Sequence, residues 1–299
     1  IRVYENQPAK RKLSGGAQDG KDGKDGKGRD VDIVDGDDDD FDEKSLSYIV
    51  HQLKALYFMS TKRSVLEAML GVDTREEAGG FLGFGSRGRG RSLVVNRIRA
   101  ARAKENPSKY PDGLSSVFGQ VFMQSRTVKP EPYRVGKNQQ IFSVNFIGEG
   151  SIDAGGPYRE CLTNMCADLM SDATPLFIKS PNQKNSVGLN REKYVINPSS
   201  TSSLHLAMFE YVGVLLGVAL RSGSSLNLDL PSVIWKQLLD EPVDESDLEA
   251  IDKLCVQALG ELSNLTQHKF EQLVTEKFVT QTSDGKEVEL KPNGKDTPV

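Results

Sequence analysis

The chain has 299 residues, of which 37% are hydrophobic and 27% charged, and its formal net charge is −4. This mild acidity argues against a protein whose whole surface binds nucleic acid. With 3 cysteines and 3 histidines, a disulfide scaffold is excluded and a metal site is not expected. The longest apolar run, Val212–Leu220, is shorter than the ~20 residues that cross a bilayer, so it predicts a buried helix and no membrane partner.

Residues 1–44 are rich in glycine and in charge. Asp19-Gly20-Lys21 is repeated twice directly afterwards, and an acidic run follows at Asp37–Asp40. Such a segment has almost no apolar surface to bury, so burial cannot offset the entropy of ordering. We predict that this segment is disordered. The chain begins without methionine or a signal-peptide pattern, so we expect a piece of a longer, cytoplasmic protein.

Residues 45–115 combine helical patterns with a glycine-rich break. Apolar residues recur at helical spacing from Leu46 to Leu70, and glycines and arginines then crowd Gly79–Gly90. The following stretch, Leu93–Lys104, predicts a short basic helix. The arginines from Arg87 to Arg102 leave RNA binding open as an alternative function, although the overall acidity speaks against it.

From Ser116 onward, helical and strand periods alternate, which predicts an α+β fold that is rich in helix and has short hairpins. Ser180–Arg191 between two strands is expected to be a polar loop. The expected helices are Val117–Phe122, one opening at Pro157, His205–Arg221 with Ser202 or Ser203 as its cap, Pro231–Leu239 and Glu245–Leu262. The expected strands are Gln140–Ile147, Leu176–Ile178 and Tyr194–Ile196, with a hairpin around Ser283–Gly285.

No nucleophile stands out among these residues. Cys161, Cys166 and Cys255 lie on or beside apolar helix stripes, where cysteine is usually a small hydrophobic residue. Glu149, Asp153 and Glu160 form a possible carboxylate cluster, but duties in turns and helix caps explain them as well. We therefore expect no cofactor and no metal, and the residues alone indicate an α+β domain without an assigned reaction.

One string is far more specific, Gly148 to Glu160, which reads GEGSIDAGGPYRE. It strongly resembles the signature near the start of the HECT domain of ubiquitin-protein ligases, and Ser116–Gln120, Tyr194–Ser200, Phe209–Arg221 and Leu290–Gly294 agree with that family in order and spacing. The large HERC-type members are the most similar. The signature positions, for which we expect structural roles, are Gly148, Glu149, Gly150, Asp153, Gly155, Gly156, Pro157, Arg159, Glu160, Asn197 and Pro198.

The resemblance implies a bilobal transferase of the ubiquitin-conjugation pathway. In the family, the N-terminal lobe docks a ubiquitin-conjugating enzyme, and a cysteine in the C-terminal lobe accepts ubiquitin as a thioester and passes it to a substrate lysine. Residues 116–299 would be an incomplete N-terminal lobe, preceded by a helical segment over residues 45–115. None of the three cysteines matches the family's Thr-Cys context, so we expect the catalytic cysteine beyond the chain end and no transfer by this fragment alone.

The resemblance also implies a docking groove for the conjugating enzyme. The positions that correspond to it are Cys255, Leu259, Leu262, Val274 and Phe278. The alternative, that these side chains face the lobe's own core, stays open and is favoured for Leu259. A non-catalytic scaffold module with a degenerate HECT lobe is a further alternative for the function.

Overall fold

The structure is a computed structural model, and it describes residue 53 and residues 56–71, 91–150 and 155–299. The predicted disordered segment and the Gly/Arg-rich break lie outside these residues. The chain divides into two units, Ile1–Val65 and Leu66–Val299. Helix α1, Met59–Met69, confirms the second half of the helical stretch predicted over residues 46–70.

The basic helix that we expected from Leu93 is a strand followed by a helix. Strand β1, Ser92–Val95, alternates between exposed and buried side chains, and helix α2, Arg97–Glu105, begins only after Asn96 caps it. β1 pairs in parallel with strand β2, Ser143–Phe146, which confirms the strand predicted over Gln140–Ile147. Residues 91–115 therefore share a core with the chain after Ser116, and the three-part domain division remains a prediction.

Helix α3, Val117–Ser125, confirms the helix predicted over Val117–Phe122, and Ser116 caps it. Two of its glutamines cover the outer edge of β1. The side-chain amide of Gln120 bonds the backbone N–H and carbonyl of Asn96, at 2.8 and 3.0 Å. Gln124 does the same with Val94, at 3.0 and 2.9 Å. Because an uncovered strand edge leaves backbone donors and acceptors unpaired, these two amides take the place of a neighbouring strand.

The core lies between α3, the β1–β2 pair and two further helices. Helix α4 is Gly156–Leu169, and helix α6 is Ser203–Ser222 with Ser202 as its cap. By length and composition α6 is the one helix in the described ranges that could cross a membrane. One face of it nevertheless packs into the core of this unit. The largest fully buried side chains of the core are Phe118, Phe122, Phe146, Met165, Leu169, Leu176 and Met208.

A second pair of strands confirms the prediction for this region. Strand β3, Phe177–Lys179, runs antiparallel to strand β4, Tyr194–Ile196. The expected polar loop between them contains a short helix, α5, Pro181–Asn185, because the Ser180 hydroxyl accepts from the Gln183 N–H and caps it. Helix α7, Ser232–Leu238, follows Pro231 as expected.

The last part of the chain, residues 240–299, is called the C-terminal segment below. The single helix expected over Glu245–Leu262 is broken in two, because Asp252 leaves the helix and caps the second piece by accepting from the Cys255 N–H at 3.1 Å. The hairpin around Asp284 is confirmed, and the fold as a whole is α+β. The segment consists of α8 (Glu245–Glu249), α9 (Lys253–Ser263), α10 (Gln267–Leu273), β5 (Val279–Gln281) and β6 (Glu287–Glu289).

Candidate functional site

The signature string forms the connection between β2 and α4. Gly148 and Gly150 have φ values of +88° and +57°, and Gly155, directly before α4, has φ +106°. Residues with a Cβ rarely adopt positive φ values, which explains glycine at these three positions. Gly156 begins the helix with Pro157 in its first turn.

Arg97, on α2, joins the two glutamates of the signature. Its guanidinium donates to both carboxylate oxygens of Glu149, at 2.7 and 2.5 Å, and also to the carboxylate of Glu160. The same guanidinium lies over the Phe146 ring, 4.5 Å from its centroid. Hydrogen bonding to Glu149 is the largest cause that raises the pKa of Arg97. Glu149 and Glu160 of the predicted carboxylate cluster thus both form ion pairs with Arg97. Asp153, the third member, lies outside the described residues.

These contacts also bear on the RNA-binding alternative. Arg97 is engaged by two carboxylates, and the Arg99 guanidinium donates to the Ser115 hydroxyl at 3.2 Å. Arg102 remains exposed on α2. Phosphate contacts need cations that are free to pair, so the ion-paired Arg97 is a poor candidate, whereas Arg91 and Arg102 are exposed. RNA binding through this stretch therefore stays an open alternative.

The remaining signature residues stabilise turns. The Asn197 side chain donates to the Pro175 carbonyl at 2.8 Å, and its oxygen accepts from the Ser199 N–H at 3.1 Å, so that it closes the turn after β4. Pro198 is exposed in that turn. Arg159 is exposed on α4, where its backbone N–H donates to the Gly155 carbonyl in the first turn. The structure assigns none of these residues a chemical task.

The five predicted docking residues all lie in the C-terminal segment, and none of them is buried. Cys255, Leu259 and Leu262 lie on α9, and Leu259 and Leu262 are 38% and 42% exposed. Val274 ends α10 and is half-buried, as is Phe278 just before β5. Leu259 and Leu262 are thus partly exposed among the described residues, whereas the docking role of the five residues stays a prediction.

Two further exposed apolar residues lie on this segment and were not predicted as docking residues. Leu254 on α9 is 45% exposed, and Leu273 on α10 is 67% exposed. The Lys291 ammonium lies 3.5 Å from the centroid of the Phe278 ring and covers one of its faces. Asp252 could have indicated Leu254 from the sequence. An aspartate is a favoured N-cap, and a helix capped at position 252 has Leu254 in its first turn.

None of the three cysteines has the environment of a nucleophile. Cys161 and Cys166 are buried in α4, with exposed fractions of 0% and 3%. Burial raises the thiol pKa of Cys166 and likewise that of Cys255. Reactive cysteines have lowered pKa values, so these three fit structural roles. Among the described residues, no group of histidine, cysteine, aspartate and glutamate side chains is arranged to hold a metal ion.

Comparisons with known proteins give the same family that the signature string resembles. The family described as HECT-domain (ubiquitin-transferase) matches residues 163–299. E3 ubiquitin-protein ligase HERC2 of Mus musculus and of Homo sapiens are each 34% identical to this chain over 205 residues, which is 66% of the chain and 4% of each relative. Probable E3 ubiquitin-protein ligase HECTD4 of Homo sapiens is 27% identical over 219 residues, 70% of the chain and 5% of that protein. The chain thus spans about one twentieth of these relatives.

Proposed function

Because the chain belongs to the HECT family of ubiquitin-protein ligases, we propose that its C-terminal segment docks a ubiquitin-conjugating enzyme. The observation that carries the proposal is the apolar surface of α9, where Leu254, Leu259 and Leu262 are each more than a third exposed. Folding of the described residues leaves this surface uncovered, so its burial is available to drive association. A partner helix or loop with apolar side chains fits such a surface.

Phe278 adds an aromatic side chain to the proposed docking surface, but its ring already contacts Lys291. The Lys291 ammonium holds one face of its ring, and the backbone N–H of Phe278 donates to the Thr297 carbonyl. A partner that uses this ring therefore contacts its edge or displaces Lys291. Leu262 has no such cover, and we expect it to contribute more to docking than Phe278.

We further propose that the whole protein transfers ubiquitin. The ubiquitin thioester of the conjugating enzyme is attacked by a thiolate of the ligase, which releases the conjugating enzyme's thiol. The amine of a substrate lysine then attacks the new thioester, forms an amide and releases the ligase thiolate. The buried thiols of Cys161 and Cys166 and the raised pKa of Cys255 make all three poor acceptors. The acceptor thiol is thus another cysteine, in the cytoplasmic compartment where we expect the pathway to operate.

The docking proposal is tested by calorimetry of residues 1–299 against a panel of purified ubiquitin-conjugating enzymes. Leu262→Glu should weaken binding about 30-fold, because a central apolar anchor is worth about 2 kcal/mol or more. Leu206→Glu is the matched control, since Leu206 is a similarly exposed leucine, at 54%, on α6 of the main core. Equal weakening by both variants, or binding unchanged by Leu262→Glu, would place the docking surface elsewhere.

The transfer proposal is tested by incubating the chain with a ubiquitin-loaded conjugating enzyme. We expect no ubiquitin adduct that is sensitive to reducing agent on Cys161, Cys166 or Cys255. The parent protein should form such an adduct, whereas a non-catalytic scaffold would bind the conjugating enzyme without forming one. An adduct that disappears with Cys255→Ser would overturn the assignment of structural roles to these cysteines.

A further inference from the structure

The C-terminal segment is attached to the main core by polar contacts. After Ile234 no hydrophobic side chain is buried in the fully described stretch to Val299; the buried residues there are Asp247 and Gly294. Interfaces between compact units that are small and polar permit relative motion, whereas large apolar interfaces prevent it. Polar contacts therefore help to fix how the segment, and the proposed docking surface on it, is oriented.

One set of contacts lies where the segment begins. The fully buried side chain of Asn182, on α5, donates to the Glu249 carbonyl at 3.0 Å and accepts from the Lys253 N–H at 2.8 Å. The Lys236 ammonium donates to the Asp247 carboxylate at 2.5 Å, and this contact is the largest cause that lowers the pKa of Asp247. Asn182 thus joins α5 to the α8–α9 junction, and Lys236 joins α7 to α8.

A second set lies at the tip of the β5–β6 hairpin. The Ser199 hydroxyl, in the turn after β4, donates to one carboxylate oxygen of Asp284, and the Thr282 hydroxyl donates to the other. The Lys184 ammonium, on α5, donates to the Ser283 carbonyl at 2.5 Å. Ser199 is exposed and Asp284 half-exposed, so water competes with this contact and it can open without disturbing a core.

We propose that Ser199 and Asp284 form a latch, which when closed fixes the orientation of the docking surface and when open lets the C-terminal segment pivot about Asn182. The consequence for docking rests on the proposed function, but the latch itself rests only on contacts within this chain. Ser199 and Asp284 are positioning residues. They act through the hairpin and are not themselves among the proposed docking residues.

The latch is tested by measuring a distance in the chain alone. Spin labels are placed at Leu206→Cys on α6 and at Lys286→Cys in the hairpin loop, in a Cys255→Ala background. Ser199→Asp faces Asp284 with a second carboxylate, and we expect a second population at longer distance. Ser199→Thr keeps the hydroxyl and should show the single closed population.

Thr282→Val controls for damage to the hairpin, because the Thr282 hydroxyl donates to Asp284 and to the Lys286 carbonyl, both within the hairpin itself. Its distance distribution should match that of the labelled parent. A single closed population in Ser199→Asp would overturn the latch, as would the same second population in Thr282→Val.

Binding of a conjugating enzyme separates the latch from a general loss of structure. The docking surface is unaltered in Ser199→Asp, so its affinity should stay within about twofold of the unsubstituted chain. Loss of affinity together with the distance change would mean that Ser199 supports the fold of the segment, which contradicts a positioning role. If the unsubstituted chain binds no conjugating enzyme, the proposed function fails, while the distance measurement still decides the latch.

Discussion

Substitution of Asn182 by alanine should loosen the C-terminal segment more than any other single truncation at its junction. The Asn182 side chain is 0% exposed, and its amide nitrogen donates to the carbonyls of Leu189 and Glu249 at 3.1 and 3.0 Å. Its oxygen accepts from the Lys253 N–H at 2.8 Å. All three hydrogen bonds are lost in Asn182→Ala, but only those to Glu249 and Lys253 reach the C-terminal segment. At about 1 kcal/mol for each, the expected cost to its attachment is about 2 kcal/mol.

Hydrogen exchange is the appropriate assay, because the loss should be local. The segment shares no buried apolar side chain with the core, so its opening leaves helices such as α3 intact. Exchange that reports opening of α9 should become about thirtyfold faster in Asn182→Ala, which corresponds to ~2 kcal/mol. Asn264→Ala is the control: the exposed Asn264 side chain makes one bond, to the Gly260 carbonyl at 2.9 Å, within the end of α9.

Two results would refute this reasoning. If α9 exchanges at the parental rate in Asn182→Ala, the buried amide network contributes nothing to holding the segment. If instead the amides of α3 accelerate as much as those of α9, the segment unfolds together with the core. In that case the polar attachment does not define a separately opening unit.

Two further predictions concern the signature and its surroundings. Gly155→Ala should lower the free energy of unfolding by about 1 kcal/mol or more, because φ is +106°, whereas Gly156→Ala should be tolerated, since a Cβ there meets open space; equal melting temperatures would contradict this. Asp168 is buried and accepts from the Phe118 N–H at 3.2 Å, and desolvation raises its pKa. The folded state therefore binds the proton more tightly, so this residue's contribution to stability falls as pH rises from about 4, the ordinary aspartate pKa. Asp168→Asn should remove that slope in denaturant titrations between pH 4 and 7, and an unchanged slope would refute it.

Local signals predicted much of the fold. The helix predicted over Val117–Phe122 is present, Ser202 is one of the two caps offered for α6, and Asp284-Gly285 turns a hairpin between two short strands. Strand β1 was missed because its partner, β2, lies about 50 residues further along the chain. Its four residues run directly into the arginine-rich α2, and the combined stretch has the composition of a helix. Pairing of distant parallel strands leaves no such local signal.

The break at Asp252 escaped prediction for a related reason. Leu248, Ile251 and Cys255 keep a helical spacing across it, so the periodicity continues where the helix does not. The interruption is stabilised from outside, because Asn182 bonds the groups that a continuous helix would have paired internally. Local periodicity cannot reveal the effect of a residue about 70 positions away. The cap at Asp252, by contrast, could have been predicted from the residue type.

The signature and the proposed docking surface differ in what their side chains contact. Glu149 and Glu160 pair with Arg97, so these recognisable residues are engaged within the described chain. Leu259 and Leu262 lie on a helix without a buried residue, so burial of their apolar surface is still available to a partner. A surface of that kind must be held in place by something other than its own hydrophobic packing. Buried amide bonds at the α8–α9 junction and exposed contacts at the hairpin tip, Ser199–Asp284 and Lys184–Ser283, meet that need. On the proposed function, the orientation of a docked partner would then depend on these exposed contacts.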